Sequence, residues 1–225
     1  MDYDYYKITN STDLREIGIS GQVQTIVPEF STTEQYESIN KLPLKDRVDF
    51  SFVPPAFKLE AKARKTDWLN NVFVNSRMIT ISPNFFNLMK GFSLPNHQVF
   101  PASVFYKGVE FNYYLVYFYP PVEEEFVDFE RSDFIRAHFG FFKEKLEINS
   151  LEDYKIAKDQ IQLPYGISFS KMVLKQDVIN CDIFRFALLG LGIYISENLK
   201  TAIEAAGLTG MQITPIEAIK HFYVR

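Results

Sequence analysis

Cysteine occurs once in this chain, at Cys181, so no internal disulfide can form and a zinc ribbon is excluded. Histidine is almost as scarce. His97, His138 and His221 are scattered, none in an HExxH pattern or beside a cysteine pair, so the sequence offers no metal centre and no cofactor is expected. There is no GxxxxGK[ST] phosphate loop and no GxSxG nucleophile turn. Gly190-Leu191-Gly192 lacks the third glycine of a dinucleotide loop, with Ile195 where that glycine would fall, and reads instead as a tight turn. Cys181 stands in an apolar context with no histidine near it in sequence, which describes a small buried hydrophobe rather than a nucleophile. Long apolar runs are missing too. The best candidate, Ile183 to Ile195, is interrupted by Arg185, Gly190 and Gly192, short of the roughly eighteen residues a membrane helix needs. The start, MDYDYYKITNS, has neither the basic residues nor the apolar core of a signal peptide. A cytoplasmic protein without a membrane partner is the expectation.

What the chain has in quantity is apolar and aromatic surface. Of 225 residues 47% are hydrophobic, and 22 Phe with 13 Tyr are more than a loop-rich chain would carry, so a sizeable core is expected. The formal net charge of −4 argues against a nucleic-acid partner, whose footprint is basic. That charge is uneven: residues 123–153 hold ten acids against four bases, a net of −6. Within it, Glu123, Glu124, Glu125, Asp128 and Glu130 admit three readings. They are a solvated loop, paired carboxylates for acid–base chemistry, or a surface that steers a basic partner into contact.

Residues 79–104 align without a gap on residues 193–218 at a constant offset of 114, with identities at Ile79/Ile193, Ile81/Ile195, Ser82/Ser196, Asn84/Asn198, Leu94/Leu208, Gln98/Gln212 and Pro101/Pro215. Each copy reads as strand, helix, strand, with Ser82 and Ser196 as helix N-caps and Gly91 and Gly207 as helix ends. Elsewhere the pattern predicts strands over 3–8, 57–64, 126–129 and 167–174, and helices over 31–42 and 150–161. A hairpin is predicted with Lys107-Gly108 at its turn, its second strand covered on both faces. Phe57 to Arg64 alternates strictly, giving an outer face of Lys58, Glu60, Lys62 and Arg64. Thr214-Pro215-Ile216-Glu217 has the grammar of a capping box, which predicts a short C-terminal helix. The whole chain, 1–225, is read as one α+β domain: a mixed, strand-rich sheet with two pseudo-repeated strand-helix-strand units and few short helices.

Asp182-Ile183-Phe184-Arg185, Ile193-Tyr194-Ile195-Ser196-Glu197, Ala205-Ala206-Gly207-Leu208-Thr209-Gly210 and Pro215 resemble the C-terminal signature of a family of bacterial immunity proteins encoded beside polymorphic toxins, catalogued as immunity family eleven. The segments Tyr3 to Tyr6, Thr66-Asp67-Trp68-Leu69, Tyr113-Tyr114-Leu115 and Val127-Asp128-Phe129-Glu130-Arg131-Ser132 extend the resemblance over nearly the full length. The resemblance implies a non-enzymatic protector that binds a cognate protein toxin stoichiometrically, and it brings no catalytic residues. Two other classes stay open on the residues themselves: a carboxylate-dependent hydrolase, and a scaffold module that dimerises through its repeated units.

Overall fold

The computed structural model describes residues 5–43, 46–74, 78–119, 126–138, 141–175, 181–185, 192–215 and 219–221. It is α+β and strand-rich, with few short helices and a curled mixed sheet. The chain opens with β1 (Tyr5–Asn10), α1 (Leu14–Ile17), β2 (Val23–Ile26), a 3-10 turn over Pro28–Phe30 and α2 (Thr33–Asn40). Thr32 caps α2 in a reciprocal box with Gln35. Then come β3 (Phe57–Leu59), β4 (Trp68–Leu69), β5 (Met78–Ile81), α3 (Pro83–Met89), and the hairpin of β6 (His97–Tyr106) and β7 (Val109–Phe118). Lys107 and Gly108 turn that hairpin with φ of 51° and 80°, the left-handed pair that a two-residue turn of matching twist requires. The remainder is β8 (Asp133–His138), β9 (Phe141–Leu146), α4 (Leu151–Gln160), β10 (Gly166–Leu174), β11 (Ile183–Arg185), β12 (Ile193–Ser196), α5 (Glu197–Ala205), β13 (Met211–Pro215) and β14 (Ile219–His221).

Among the described residues these strands form three sheets, ordered β2-β3-β6-β7-β5-β4, β11-β12-β1-β13 and β14-β10-β8-β9. The first curls until its ends meet: Val23 bridges Asn71, just past β4, and its N–H donates to the Asn70 carbonyl at 3.0 Å. Gln22, fully buried, pins that seam by donating to the Arg64 carbonyl at 2.7 Å and accepting from the Asn70 N–H at 2.9 Å. Leu115, Tyr117, Val104 and Phe57 fill the resulting barrel. The opposite faces of β5 and β7 send Ile79, Ile81, Val116 and Phe118 into a second core with Phe85 and Met89 of α3, Leu199 and Ile203 of α5, and Ile8, Ile193 and Ile195. The far side of the β1 sheet packs Tyr5, Phe184 and Tyr194 against Phe134, Tyr154 and Met172 in a third. That sheet is therefore the middle layer, covered on both faces.

The two segments related by the offset of 114 adopt the same elements. Ser82 and Ser196 cap their helices with near-identical backbone angles, φ −68° and ψ 162° against φ −71° and ψ 161°. Each hydroxyl accepts from the N–H three residues on, Phe85 or Leu199, at 3.2 Å. Each also donates at 2.6 Å to an aspartate preceding the neighbouring strand, Ser82 to Asp67 and Ser196 to Asp182. The central strands match in register. Tyr114 of β7 lies opposite Ile81 and Pro101, while Tyr6 of β1 lies opposite Ile195 and Pro215. One unit thus takes its central strand from the hairpin that follows it, and the other from the first strand of the chain.

The second oxygen of each aspartate reaches across to the other unit. Asp67 Oδ2 accepts from the Thr209 N–H at 3.1 Å, in the loop after α5, and Asp182 Oδ2 accepts from the Ser93 N–H at 2.9 Å, in the loop after α3. Gly210 permits the close approach at one of these crossings. It has φ of 95°, and a Cβ there would lie 2.0 Å from the Trp68 carbonyl oxygen.

Several expectations are corrected. The alternating segment 57–64 is a strand only to Leu59, because Ala63 N–H closes a turn onto Glu60 O at 2.9 Å and leaves Ala61 exposed. Phe126 to Phe129 forms a single bridge, Val127 to Leu174, rather than a strand. The capping-box grammar at Thr214 is overridden: Thr214 and Pro215 end β13, and Ile219–His221 pairs in parallel with Met172–Leu174 of β10. Gly91 does not share the left-handed conformation of Gly207, which has φ of 62°. The tight-turn reading at Gly190 falls outside the described residues, whereas Gly192 has φ of 89°. The β8–β9 hairpin has no counterpart among the expected elements.

Because the serine does one capping task while the aspartate holds both units, their removal should cost differently. Ser82→Ala or Ser196→Ala should lower unfolding free energy by about 1 kcal/mol each. Asp67→Ala, which strands the Ser82 hydroxyl and the Thr209 N–H, should cost roughly 3 kcal/mol. Urea midpoints at unchanged m-value check the order, and equal losses would show that the crossing bonds contribute nothing.

Candidate functional site

The residue alternation around Val127 sets the acidic surface. Phe126, Val127 and Phe129 are buried in the third core, so Asp128 and Glu130 point outward. The backbone there is tied to β10, with Asp128 N–H donating to Val173 O at 2.9 Å and Lys175 N–H to Phe126 O at 2.7 Å. Ser132 fixes the turn from behind, donating to Asp128 O at 2.6 Å and accepting from Val173 N–H at 3.0 Å.

The two described carboxylates then part company. Asp128 accepts from the Arg131 N–H at 3.2 Å and lies 3.6 Å from the Arg131 Nε, so it is committed to its own turn. Glu130 is exposed and makes no hydrogen bond or ion pair among the described residues. Both line an open cleft of about 420 Å³, whose other wall is the start of α4 at Asn149, Ser150 and Leu151, with Lys175 at its edge. Ser150 and Asp153 already satisfy that helix end, the hydroxyl accepting from Asp153 N–H and the carboxylate from Asn149 N–H, both at 3.0 Å. Glu123, Glu124 and Glu125 lie outside the described residues.

Other groups with chemical potential are used structurally. The 2.6 Å serine–aspartate contacts at Ser82–Asp67 and Ser196–Asp182 have the length of an activated nucleophile, but each serine is buried and accepts a helix N–H, and among the described residues no histidine bonds to either pair. His97 Nδ1 lies 2.8 Å from the Pro95 carbonyl, and the His138 ring packs against Tyr165 at 5.9 Å. Among the described residues no three His, Cys, Asp or Glu side chains converge as metal ligands. No helix among them is long and apolar enough to cross a membrane. Burial raises the Tyr113 phenol far above its ordinary range, with the Asp67 charge adding to the effect, and its hydroxyl donates to Thr66 O at 2.8 Å.

A second cleft, of about 510 Å³, opens beside the start of α3, lined among others by Lys65, Asp67, Asn84, Glu110 and Asn112. Sequence reading passed over it because its lining comes from three separated stretches. The one available signal was the basic face running through Lys62 and Arg64, which stops one residue short of Lys65.

Cys181 is half-buried rather than fully buried, and burial pushes its thiol up, outweighing the opposite pull of a hydrogen bond with Ser93. The thiol should therefore react with a disulfide reagent much more slowly in the native protein than in urea, with the native rate rising only at pH above the ordinary thiol range. A fast native reaction at pH 7 would mark Cys181 as activated. Compared with protein-family models and with curated proteins, the chain matches none.

Proposed function

We propose that this chain is an immunity protein, acting in the cytoplasm to bind a cognate toxin and block it by occlusion, without catalysis. The observation that carries the reading is Glu130, an exposed carboxylate with no partner among the described residues at the mouth of a cleft, inside a segment of net charge −6. Such a surface raises the encounter rate with a basic partner more than it deepens the final affinity. The residue pattern resembling immunity family eleven supports the same reading, as does the use of both serine–aspartate pairs as helix caps. A hydrolase would call for sequestered paired carboxylates. Here Asp128 is held by Arg131 and Glu130 stands in solvent. The constitution of residues 1–225 as one domain with an internal repeat belongs to the same proposal.

A tight toxin complex would bury about 1,600 Å² in total. The reading frame beside the gene should encode a long protein with a toxic C-terminus, and co-expression of this chain should restore growth; an isolated gene in a metabolic operon would favour the enzyme instead. Replacing Glu123, Glu124, Glu125 and Glu130 by Lys should slow association with the toxin at least tenfold at low salt, measured by surface plasmon resonance. Unchanged association would remove the acidic segment from the interface.

A further inference from the structure

The acidic segment has a counterpart of opposite sign at the end of the barrel that carries the β6–β7 turn. Lys58, Lys62, Arg64, Lys65 and Lys107 are all exposed there, and none has a carboxylate within 4.0 Å among the described residues. The fold gathers them from three stretches. Tyr106 donates to the Ala63 carbonyl at 2.7 Å, bringing the hairpin tip with Lys107 against the turn that holds Lys62, Arg64 and Lys65. Lys65 Nζ sits 4.1 Å over the Phe111 ring and Lys107 Nζ 4.9 Å over Tyr106, so both ammonium groups rest on aromatic faces and are held in place at the exposed surface. Lys58 pairs in register with Phe105, on whose ring the exposed Phe30 stacks at 4.8 Å. Val109, 54% exposed, projects at the tip beside Lys107. The 510 Å³ cleft opens next to Lys65.

We propose that this barrel end is a second docking face and that it takes an acidic surface of the partner protein. The inference rests on the immunity reading and adds the chemistry of the partner. Exposed apolar anchors inside a charged rim are the composition of a protein interface. A nucleic-acid backbone fits less well, because Glu60 and Glu110 stand among the cations: a largely acidic protein surface can set a basic side chain opposite each of them, whereas a phosphate backbone offers only negative charge. Both acids are oriented by hydroxyls, Glu60 by Thr25 at 3.1 Å and Glu110 by Ser103 at 2.5 Å, and so stay within the patch. Acidic and basic faces on one molecule fix the orientation in which a charge-complementary partner arrives.

The test compares wild type with the triple variant Lys62→Glu, Lys65→Glu, Lys107→Glu, and with Val109→Asp, against the toxin domain encoded beside the gene. Circular dichroism should be unchanged in both. Wild type should bind and protect, while each variant should bind at least tenfold more weakly, the triple variant also showing a changed salt dependence of association. If wild type binds and the variants bind equally well, the docking face is overturned and the immunity reading stands. If wild type neither binds nor protects, the immunity reading fails. The chemistry of the face is then judged by amide-shift titration of the protein with an acidic decapeptide of glutamates interrupted by lysines and, separately, with a thymidine decanucleotide. Shifts at residues 58, 62, 64, 65 and 107 with the peptide and not the oligonucleotide uphold an acidic polypeptide as occupant. A stronger response to the oligonucleotide, or none to either, overturns it.

Discussion

Each of two aspartate side chains, Asp67 and Asp182, is shared between a helix cap in its own unit and a loop in the other. A carboxylate offers two oxygens with about four acceptor positions, and here one oxygen takes a serine hydroxyl while the other takes a backbone N–H from across the molecule. The main chain repeats the arrangement, Trp68 N–H donating to Thr209 O at 3.0 Å and Asp182 N–H to Ser93 O at 2.8 Å. Each helix start is therefore fixed to the strand beside it, and each helix exit to the opposite unit. The core between them, with Phe85, Met89, Leu199 and Ile203 facing inward, is closed at both ends by charge-assisted bonds.

This arrangement leaves the two outer layers to do different things. The barrel buries its aromatics inward and closes its own seam, so its hairpin turn and the loop at residue 62 project as a charged rim. The third sheet buries Phe126, Val127 and Phe129 and thereby turns Asp128 and Glu130 to solvent. Between them the middle sheet is covered on both faces. Charge separation on the surface thus follows from which layer each charged segment borders.

Local signals were legible in the sequence and long-range pairing was not. Ser82 and Ser196 were readable as caps because capping spans three residues, and Lys107-Gly108 because a hairpin turn spans two. The partners of the two capping serines lie 15 and 14 residues upstream, where no local rule points. Thr214-Pro215-Ile216-Glu217 has helix-start chemistry, yet strand pairing with β1 on one side and β10 on the other decides the outcome. Phe57 to Arg64 alternates faithfully past the point where the chain turns, since alternation reports a face and not a length. The β8–β9 hairpin was hidden by its own charges: Asp133, Arg136, Glu144 and Lys145 read as part of an acidic run, whereas Arg136–Glu144 and Lys145–Asp133 pair across the strands at 3.0 and 2.7 Å. Of the acidic segment, Glu130 has no partner among the described residues and Asp128 is spent, a distinction that depends on Arg131 folding back.

The position of β1 bears on the order in which the molecule can be made. Residues 5–10 leave the ribosome before the barrel strands, yet they lie between β12 and β13, which are translated after the barrel. The barrel, complete within residues 22–118, can close during synthesis while the first strand waits with both its edges unsatisfied. An emerging chain is thus a folded barrel trailing an adhesive strand, and a truncated chain lacking residues 193–215 stays in that condition permanently.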